Sequence, residues 1–142
     1  GDDSIESRAA SPGNKFEPGK RPMSTMHPVM VFDKEGKLSL ITGSPGGSQI
    51  PAANLRVVTG IIDFDLHVGD ATMLPRIHKD WPYAGIEFES TLSQDNLNLL
   101  SKVGHRLDLS DTIGSTQSIQ IIDGINYGFA DPRRPNAGVS IE

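Results

Sequence analysis

Residues 38–49 read Leu38-Ser39-Leu40-Ile41-Thr42-Gly43-Ser44-Pro45-Gly46-Gly47-Ser48-Gln49, and this stretch decides the fold. A short apolar strand runs into a turn of glycine, serine and proline, and the apolar periodicity of residues 50–64 predicts a helix directly after it. The first N–H groups of such a helix have no partner inside the helix, and the helix dipole is positive there. Gly46 and Gly47 permit a positive φ and the close approach of a ligand. The pattern therefore predicts either a site for an anion or oxyanion or a tight turn without a ligand.

The composition limits the classes of function. The chain has 142 residues, of which 36% are hydrophobic and 22% charged, as is typical of one globular domain with a core of its own. Its formal net charge of -5 argues against a nucleic-acid-binding surface. It contains no cysteine, which excludes disulfides, thiolate metal sites and a cysteine nucleophile. The four histidines lack the spacing of metal ligands, so we expect neither a metal nor a cofactor.

The order of the expected elements indicates an α+β fold. Residues 1–22 are polar and rich in proline and glycine, which predicts an extended loop over a domain formed by residues 23–142. The first strand is apolar at nearly every position and is expected to be buried on both faces. The order ββααββαβββ, with hairpins instead of regular βαβ repeats, predicts a layered domain with antiparallel pairing. The expected strands are 29–33, 38–42, 76–78, 86–89, 106–109, 117–123 and 127–130, with a turn at Gly124-Ile125-Asn126, and the expected helices are 50–64, 68–74 and 93–104.

Besides the glycine turn, three groups could carry chemistry. Asp2-Asp3 is a pair of carboxylates, or alternatively a solvated chain start. Ser24-Thr25 places two hydroxyls between prolines, where they could donate to a carboxylate or form a cap or turn. Asp131-Pro132-Arg133 is interpreted as a structural ion pair that fixes the terminal segment.

Neither a catalytic triad nor a nucleotide-binding loop is indicated. His78 is most simply a half-buried structural residue, and a Ser-His-Asp arrangement has no support in the sequence. The glycine turn matches neither the P-loop nor the dinucleotide-binding pattern.

Several ordered motifs resemble the small subunit of γ-glutamyltranspeptidases. The resemblance covers almost the whole chain, from Asp2-Asp3 to Arg133, and the order of the motifs makes it specific. The motifs are Arg21-Pro22-Met23-Ser24-Thr25-Met26, Gly43-Ser44-Pro45-Gly46-Gly47-Ser48-Gln49-Ile50, Ala71-Thr72-Met73-Leu74-Pro75-Arg76-Ile77-His78, Gly114-Ser115-Thr116-Gln117-Ser118 and Ala130-Asp131-Pro132-Arg133.

The resemblance implies a fold and a reaction. The fold is that of an N-terminal nucleophile hydrolase, a four-layer αββα sandwich of mostly antiparallel sheets. A precursor cleaves itself into a large and a small subunit, and the new N-terminal threonine attacks a γ-glutamyl amide such as glutathione, with its own amino group as general base. The large subunit is then the partner of this chain, and the family resemblance implies a periplasmic or secreted protein.

The resemblance also assigns roles to residues. Asp3 resembles the carboxylate that binds the α-ammonium group of the substrate. Ser24 and Thr25 resemble the hydroxyl pair for the α-carboxylate, although the family often has two serines. Gly46 and Gly47 resemble the oxyanion hole. His27 stands where the family often has serine.

The nucleophile of the family is not found in this chain. The Thr-Thr-His start of the family's small subunit does not precede Asp3, and Gly1 cannot act as a nucleophile. We therefore expect the C-terminal portion of a small subunit, inactive alone, with its nucleophile outside this chain. The alternatives are a cephalosporin acylase-like or poly-γ-glutamate-processing relative, or an inactive fragment that serves as a structural module.

Overall fold

The structure is a computed structural model and describes residue 13 and residues 17–80 and 85–140. Within these residues the elements follow the predicted order ββααββαβββ. The strands are β1 (Val29–Phe32), β2 (Leu38–Gly43), β3 (Ile77–His78), β4 (Ile86–Glu89), β5 (Leu107–Ser110), β6 (Gln117–Ile122) and β7 (Ile125–Ala130), and the helices are α1 (Ile50–Ile62), α2 (Val68–Met73) and α3 (Gln94–Lys102).

Two antiparallel hairpins build a four-stranded sheet in the order β1-β2-β6-β7. In the first hairpin, Asp33 Oδ1 accepts hydrogen bonds from the N–H groups of Glu35 and Lys37 and so closes the turn. The second hairpin corrects the predicted turn at 124–126, because Ile122 pairs with Ile125 and the loop is Asp123-Gly124. Both loop residues have positive φ, at 51° and 78°, as an Asp-Gly hairpin turn requires.

Helices α1 and α2 cover one face of this sheet. Thr42 and Ser118 face the helices and share a buried hydrogen bond of 2.8 Å between their hydroxyl oxygens. Gln120 Oε1 accepts the N–H of Val68 at the start of α2 at 2.8 Å. The buried apolar core follows these contacts and comprises Leu40, Ile50, Ala53, Val57, Val68, Ala71, Ile86 and Ile113.

The opposite face of the sheet is apolar and largely exposed in the described chain. Side chains alternate along a strand, so Ile119, next to the helix-facing Ser118, points away from the helices. The exposed fractions of Met30, Phe32 and Ile119 are 64%, 56% and 41%. The prediction that the first strand is buried on both faces is therefore wrong for this chain, because only its helix-facing side chains are covered here.

The second sheet has the order β3-β4-β5. Arg56 of α1 donates to the carbonyl of Pro75, just before β3, at 3.2 Å. Here β4 and β5 pair in parallel, which departs from the predicted antiparallel pairing because α3 forms a crossover between them. Ser93 caps α3 by accepting the N–H of Asn96. Leu99 and Val103, on the apolar side of this helix, are 61% and 72% exposed.

Helix α1 begins directly behind the glycine turn and tolerates Pro51 because the first helical turn has no use for its N–H. It ends at Ile62, two residues before the predicted end. Leu55 and Ile62 lie on its exposed side, with exposed fractions of 62% and 56%. None of the helices in the described ranges has the length and apolar character needed to span a membrane.

Candidate active site

The glycine turn presents two backbone donors in front of α1. Gly46 has φ 139° and Gly47 has φ 58°, so both lie in the region that favours glycine. The carbonyl of Gly46 accepts the N–H of Gln49 at 3.0 Å, which closes a 3-10 turn. Within the described part of the chain, the N–H groups of Gly46 and Gly47 have no hydrogen-bond acceptor. They are thus available to a ligand, and the oxyanion role of these two residues stays a prediction.

The segment 113–116 supports the turn from behind. A Cβ added to Gly46 would lie 3.3 Å from Gly114 Cα, so the two backbones touch at a place that only glycine allows. Ser44 Oγ accepts the N–H of Ser115 at 2.9 Å, and Gln49 Oε1 accepts that of Gly114 at 3.3 Å. The turn is therefore fixed at both ends.

The predicted hydroxyl pair lies on a loop tied to α1. Ser24 is exposed, and its Oγ accepts the N–H of Met26 at 3.2 Å, which leaves its own proton free to donate. The carbonyl of His27 accepts a hydrogen bond from Asn54 Nδ2 of α1 at 2.5 Å. The loop with Ser24 and Thr25 is thus anchored to the helix that starts at the glycine turn. The predicted carboxylate Asp3 lies outside the described residues.

The predicted ion pair of Asp131 and Arg133 is confirmed, with 3.2 Å between Asp131 Oδ1 and Arg133 Nη1. Arg133 also makes a bidentate pair with Glu89, since its Nε and Nη2 each donate to a Glu89 oxygen at 2.7 Å. On the other side, Asp131 Oδ2 lies 2.7 Å from Nη2 of the fully buried Arg76. These four charged residues, Arg76, Glu89, Asp131 and Arg133, form the buried ion network.

The network's charges shift its pKa values. Burial lowers the pKa of Arg76, and the nearby Arg133 guanidinium adds to this effect. For Asp131, burial acts to raise the pKa, but the backbone N–H of Arg133 and the charge of Arg76 outweigh it and hold the pKa below its ordinary value. For Arg133, burial acts to lower the pKa. The hydrogen bonds to Glu89 outweigh burial, so the pKa of Arg133 lies above its ordinary value.

The network also holds the segment behind the glycine turn. Arg76 Nη1 donates to the carbonyl of Ile113 at 3.0 Å, and Glu89 Oε1 accepts the N–H of Ile113 at 3.0 Å. Asp131 Oδ2 accepts the N–H of Thr116 at 2.9 Å. Sequence reasoning missed Arg76 and Glu89 as members of this arrangement. The available signal was the presence of charged residues in two short strand segments, Arg76 before Ile77 and Glu89 after Phe88.

His78 is buried more deeply than expected. Its Nε2 lies 3.2 Å from Asp80 Oδ1, and the other Asp80 oxygen accepts the hydroxyl of Ser48 at 3.2 Å. The carboxylate therefore stands between histidine and serine, which is not the order of a catalytic triad. These residues line a hollow of about 460 Å³, whereas a larger apolar groove of about 530 Å³ between α1 and α3 contains none of the turn residues. In the described ranges no group of acidic or histidine side chains could hold a metal ion.

Comparison with known proteins gives a consistent result. The profile of the family described as Gamma-glutamyltranspeptidase matches residues 2–141. A glutathione hydrolase proenzyme of Escherichia coli K12 is 45% identical over 121 residues, which is 84% of this chain and 21% of that protein. This chain thus spans about a fifth of the length of that relative.

Two solved structures support the fold. A γ-glutamyltranspeptidase of Helicobacter pylori superposes with a TM-score of 0.81 and 32% identity, covering 87% of this chain and 68% of that one. A cephalosporin acylase from Bacillus halodurans superposes with a TM-score of 0.79 and 26% identity, covering 89% of this chain and 24% of that one. The predicted α+β architecture of an N-terminal nucleophile hydrolase is confirmed. With its ordered motifs, its fold and a profile match over nearly all its residues, the chain belongs to the γ-glutamyltranspeptidase family.

Proposed function

We propose that the protein to which this chain belongs transfers or hydrolyses γ-glutamyl groups from glutathione and other γ-glutamyl amides. The nucleophilic threonine lies outside this chain, and the chain supplies oxyanion donors and substrate-binding groups. The observation that carries the proposal is the pair of unengaged N–H groups at Gly46 and Gly47, fixed from behind at the start of α1. Donors fixed in advance stabilise a developing negative charge without reorganisation during the reaction.

The proposed first step uses these donors directly. The threonine oxygen attacks the γ-carbonyl carbon while its proton passes to the threonine's α-amino group. The carbonyl oxygen becomes an oxyanion that accepts from Gly46 and Gly47. When this tetrahedral intermediate collapses, the C–N bond breaks. The leaving amine takes the proton that the α-amino group of the threonine had accepted. Water or a second amine then attacks the ester carbonyl carbon and passes a proton through the α-amino group to the departing threonine oxygen. The γ-glutamyl group leaves as glutamate or as a new γ-glutamyl amide.

The remaining residues would hold the amino-acid head of the substrate. Ser24 has an exposed hydroxyl with a free proton, which suits donation to an α-carboxylate. Thr25 is the neighbouring donor of the proposed pair. Asp3 is proposed as the acceptor for the α-ammonium group. An acceptor for the α-ammonium group together with donors for the α-carboxylate suits an α-amino acid head. A glutaryl group lacks the ammonium, so this combination favours γ-glutamyl over glutaryl substrates.

The proposed partner is the large subunit from the same precursor. The exposed apolar face of the four-stranded sheet supports this, because Met30, Phe32 and Ile119 need a covering layer. The extended loop proposed for residues 1–22 would lie over the site. A periplasmic or secreted location is proposed from the family resemblance alone.

The proposed function is tested on the full-length protein with γ-glutamyl-p-nitroanilide. Loss of a hydrogen bond to a charged group costs about 1.5–3 kcal/mol, so Ser24→Ala is expected to lower kcat/KM about tenfold or more. Ser101→Ala, at an exposed position of α3, is the matched control and is expected to leave kcat/KM unchanged. An unaltered kcat/KM in Ser24→Ala would contradict the assignment of the carboxylate site.

The second candidate is an acylase of the same fold, favoured by the similarity to the cephalosporin acylase. Hydrolysis rates on matched γ-glutamyl and glutaryl amides separate the two. Preference for the glutaryl amide would favour the acylase, because that substrate lacks the α-amino group that Asp3 is proposed to bind.

A further inference from the structure

The side chain of Gln49 joins three parts of the molecule. Its Oε1 accepts the N–H of Gly114, and its Nε2 donates to Glu87 Oε2 of β4 at 2.8 Å. A backbone N–H can only donate and a carboxylate can only accept, so these partners fix the orientation of the amide. Its backbone N–H meanwhile closes the turn on the Gly46 carbonyl. Gln49 thus ties the glycine turn to the second sheet and to the segment behind the turn.

The segment behind the turn has little freedom to move. A Cβ on Gly114 would lie 2.7 Å from both Ser44 Oγ and Ala53 Cβ, so its backbone is packed directly against the turn and α1. Ile113 and Thr116 on either side are held by the buried ion network. The positions of the free N–H groups therefore depend on a rigid support that Gln49 connects to the turn.

We propose that Gln49 is a positioning residue that sets the direction of the Gly46 and Gly47 N–H groups through its contacts with Gly114 and Glu87. This inference rests on the proposed function, in which those groups face the oxyanion. Donors that act on charge formed only in the transition state affect kcat more than KM. Rates are expressed per titrated active site, because a side chain that merely stabilised the fold would change the amount of folded enzyme and leave both kcat per active site and KM unchanged.

The first test measures kcat and KM of full-length variants with γ-glutamyl-p-nitroanilide. Gln49→Met keeps the length of the side chain and removes both hydrogen bonds. A displacement near 1 Å can cost about 100-fold in rate, so we expect kcat to fall roughly 10- to 100-fold with KM changed less than about twofold. Gln94→Met is the control, because Gln94 makes one exposed hydrogen bond to Asn98 on α3. An unchanged kcat in Gln49→Met would overturn the inference.

The second test exchanges the amide and the carboxylate of the contact between Gln49 and Glu87 and asks whether kcat recovers. Gln49→Glu places a second carboxylate against Glu87, and the repulsion is expected to lower kcat as Gln49→Met does. Adding Glu87→Gln reverses the pair, so that the new amide at position 87 donates to the carboxylate at position 49, which still accepts from Gly114. We expect the double variant to recover kcat to within about threefold of the wild type. A double variant as slow as the single one would count against positioning through this contact.

Amide hydrogen exchange separates this inference from the proposed function. If Gln49 holds the turn, peptides covering residues 44–50 exchange faster in Gln49→Met than in the wild type, whether or not γ-glutamyl amides are substrates. An inactive wild type with faster exchange in the variant would refute the proposed function and leave the positioning role standing. Equal exchange in the two proteins would refute the positioning role.

Discussion

At the scale of single residues, Arg133 makes five side-chain hydrogen bonds within the described part of the chain. It pairs with both oxygens of Glu89 and also donates to the carbonyls of Thr72 and Leu74 at the end of α2, at 2.8 and 3.0 Å. These carbonyls have no partner within the helix, so the guanidinium acts as its C-terminal cap. Truncating Arg133 would leave the carboxylate of Glu89 buried without its main partner.

Arg133→Ala is therefore expected to destabilise the protein strongly. Breaking a buried ion pair by removing one partner costs about 3–5 kcal/mol. Arg134→Ala, at the exposed neighbouring position, is the control and should stay within about 0.5 kcal/mol of the wild type. Thermal unfolding of the full-length variants measures the difference. Equal melting temperatures for the two variants would show that the network adds nothing to stability.

The depressed pKa of Asp131 predicts a dependence of stability on pH. Its carboxylate is stabilised in the folded state, so its contribution is complete above the ordinary pKa of 3.8 and is lost as the pH falls through the lower folded value. The melting temperature of the wild type should exceed that of Asp131→Asn at pH 5 to 7, and the gap should narrow below about pH 4. A constant gap from pH 7 to pH 3 would contradict this assignment.

The ion network shows which residues can be predicted from sequence. Asp131 and Arg133 are two positions apart, so their pairing follows from local geometry. Glu89 and Arg76 come from distant parts of the chain, and no local spacing reports contacts of that kind. The glycine turn was predictable because its residues are consecutive in the sequence. Its support by Gly114 was not predictable, because that contact joins distant parts of the chain.

At the scale of elements, α1 and α2 approach closely at Gly60. A Cβ at this position would lie 2.9 Å from Ala71 Cβ and 3.3 Å from Leu74 Cδ1. In a helix with open space around it, replacing glycine by alanine raises the free energy of unfolding by about 0.5–1 kcal/mol. Overpacking of a filled site lowers it by about 1–3 kcal/mol. The cost is expected to prevail, because the nearest atom belongs to a short side chain on the facing helix.

Gly60→Ala is thus expected to lower stability by about 1 kcal/mol, measured by thermal unfolding of the full-length protein. Gly138→Ala is the control, because a Cβ there meets no atom within 4 Å. A stabilised Gly60→Ala would mean that the two helices can separate slightly at no cost.

Element order and type were predictable because each segment carries its own period and its own stop signals. The position of the hairpin loop between β6 and β7 and the direction of strand pairing were less predictable from these signals. The turn between β6 and β7 spans residues 123–124 instead of 124–126, because Asp123 takes a positive φ before Gly124. The parallel pairing of β4 and β5 depends on how α3 packs, which periodicity does not report.

At the scale of the whole molecule, the four-stranded sheet has an apolar face that the helices of this chain do not cover. The apolar residues of β1 predicted burial on both faces, and the described chain covers only one. Met30, Ile41 and Ile119 lie in one row across three strands. In a four-layer sandwich this row would face a second sheet, and the covering layer is proposed to include the large subunit.

Ile119→Glu in the full-length precursor tests this arrangement. If the row is covered, the new carboxylate must be buried without a partner, which costs several kcal/mol and weakens subunit association. We expect less large subunit to co-elute with the variant small subunit in size-exclusion chromatography after maturation. Val103→Glu is the matched control, since Val103 is 72% exposed at the end of α3, away from this face. If both variants co-elute with the large subunit as the wild type does, the row is not covered by the partner, because a buried glutamate at position 119 could not leave the assembly intact.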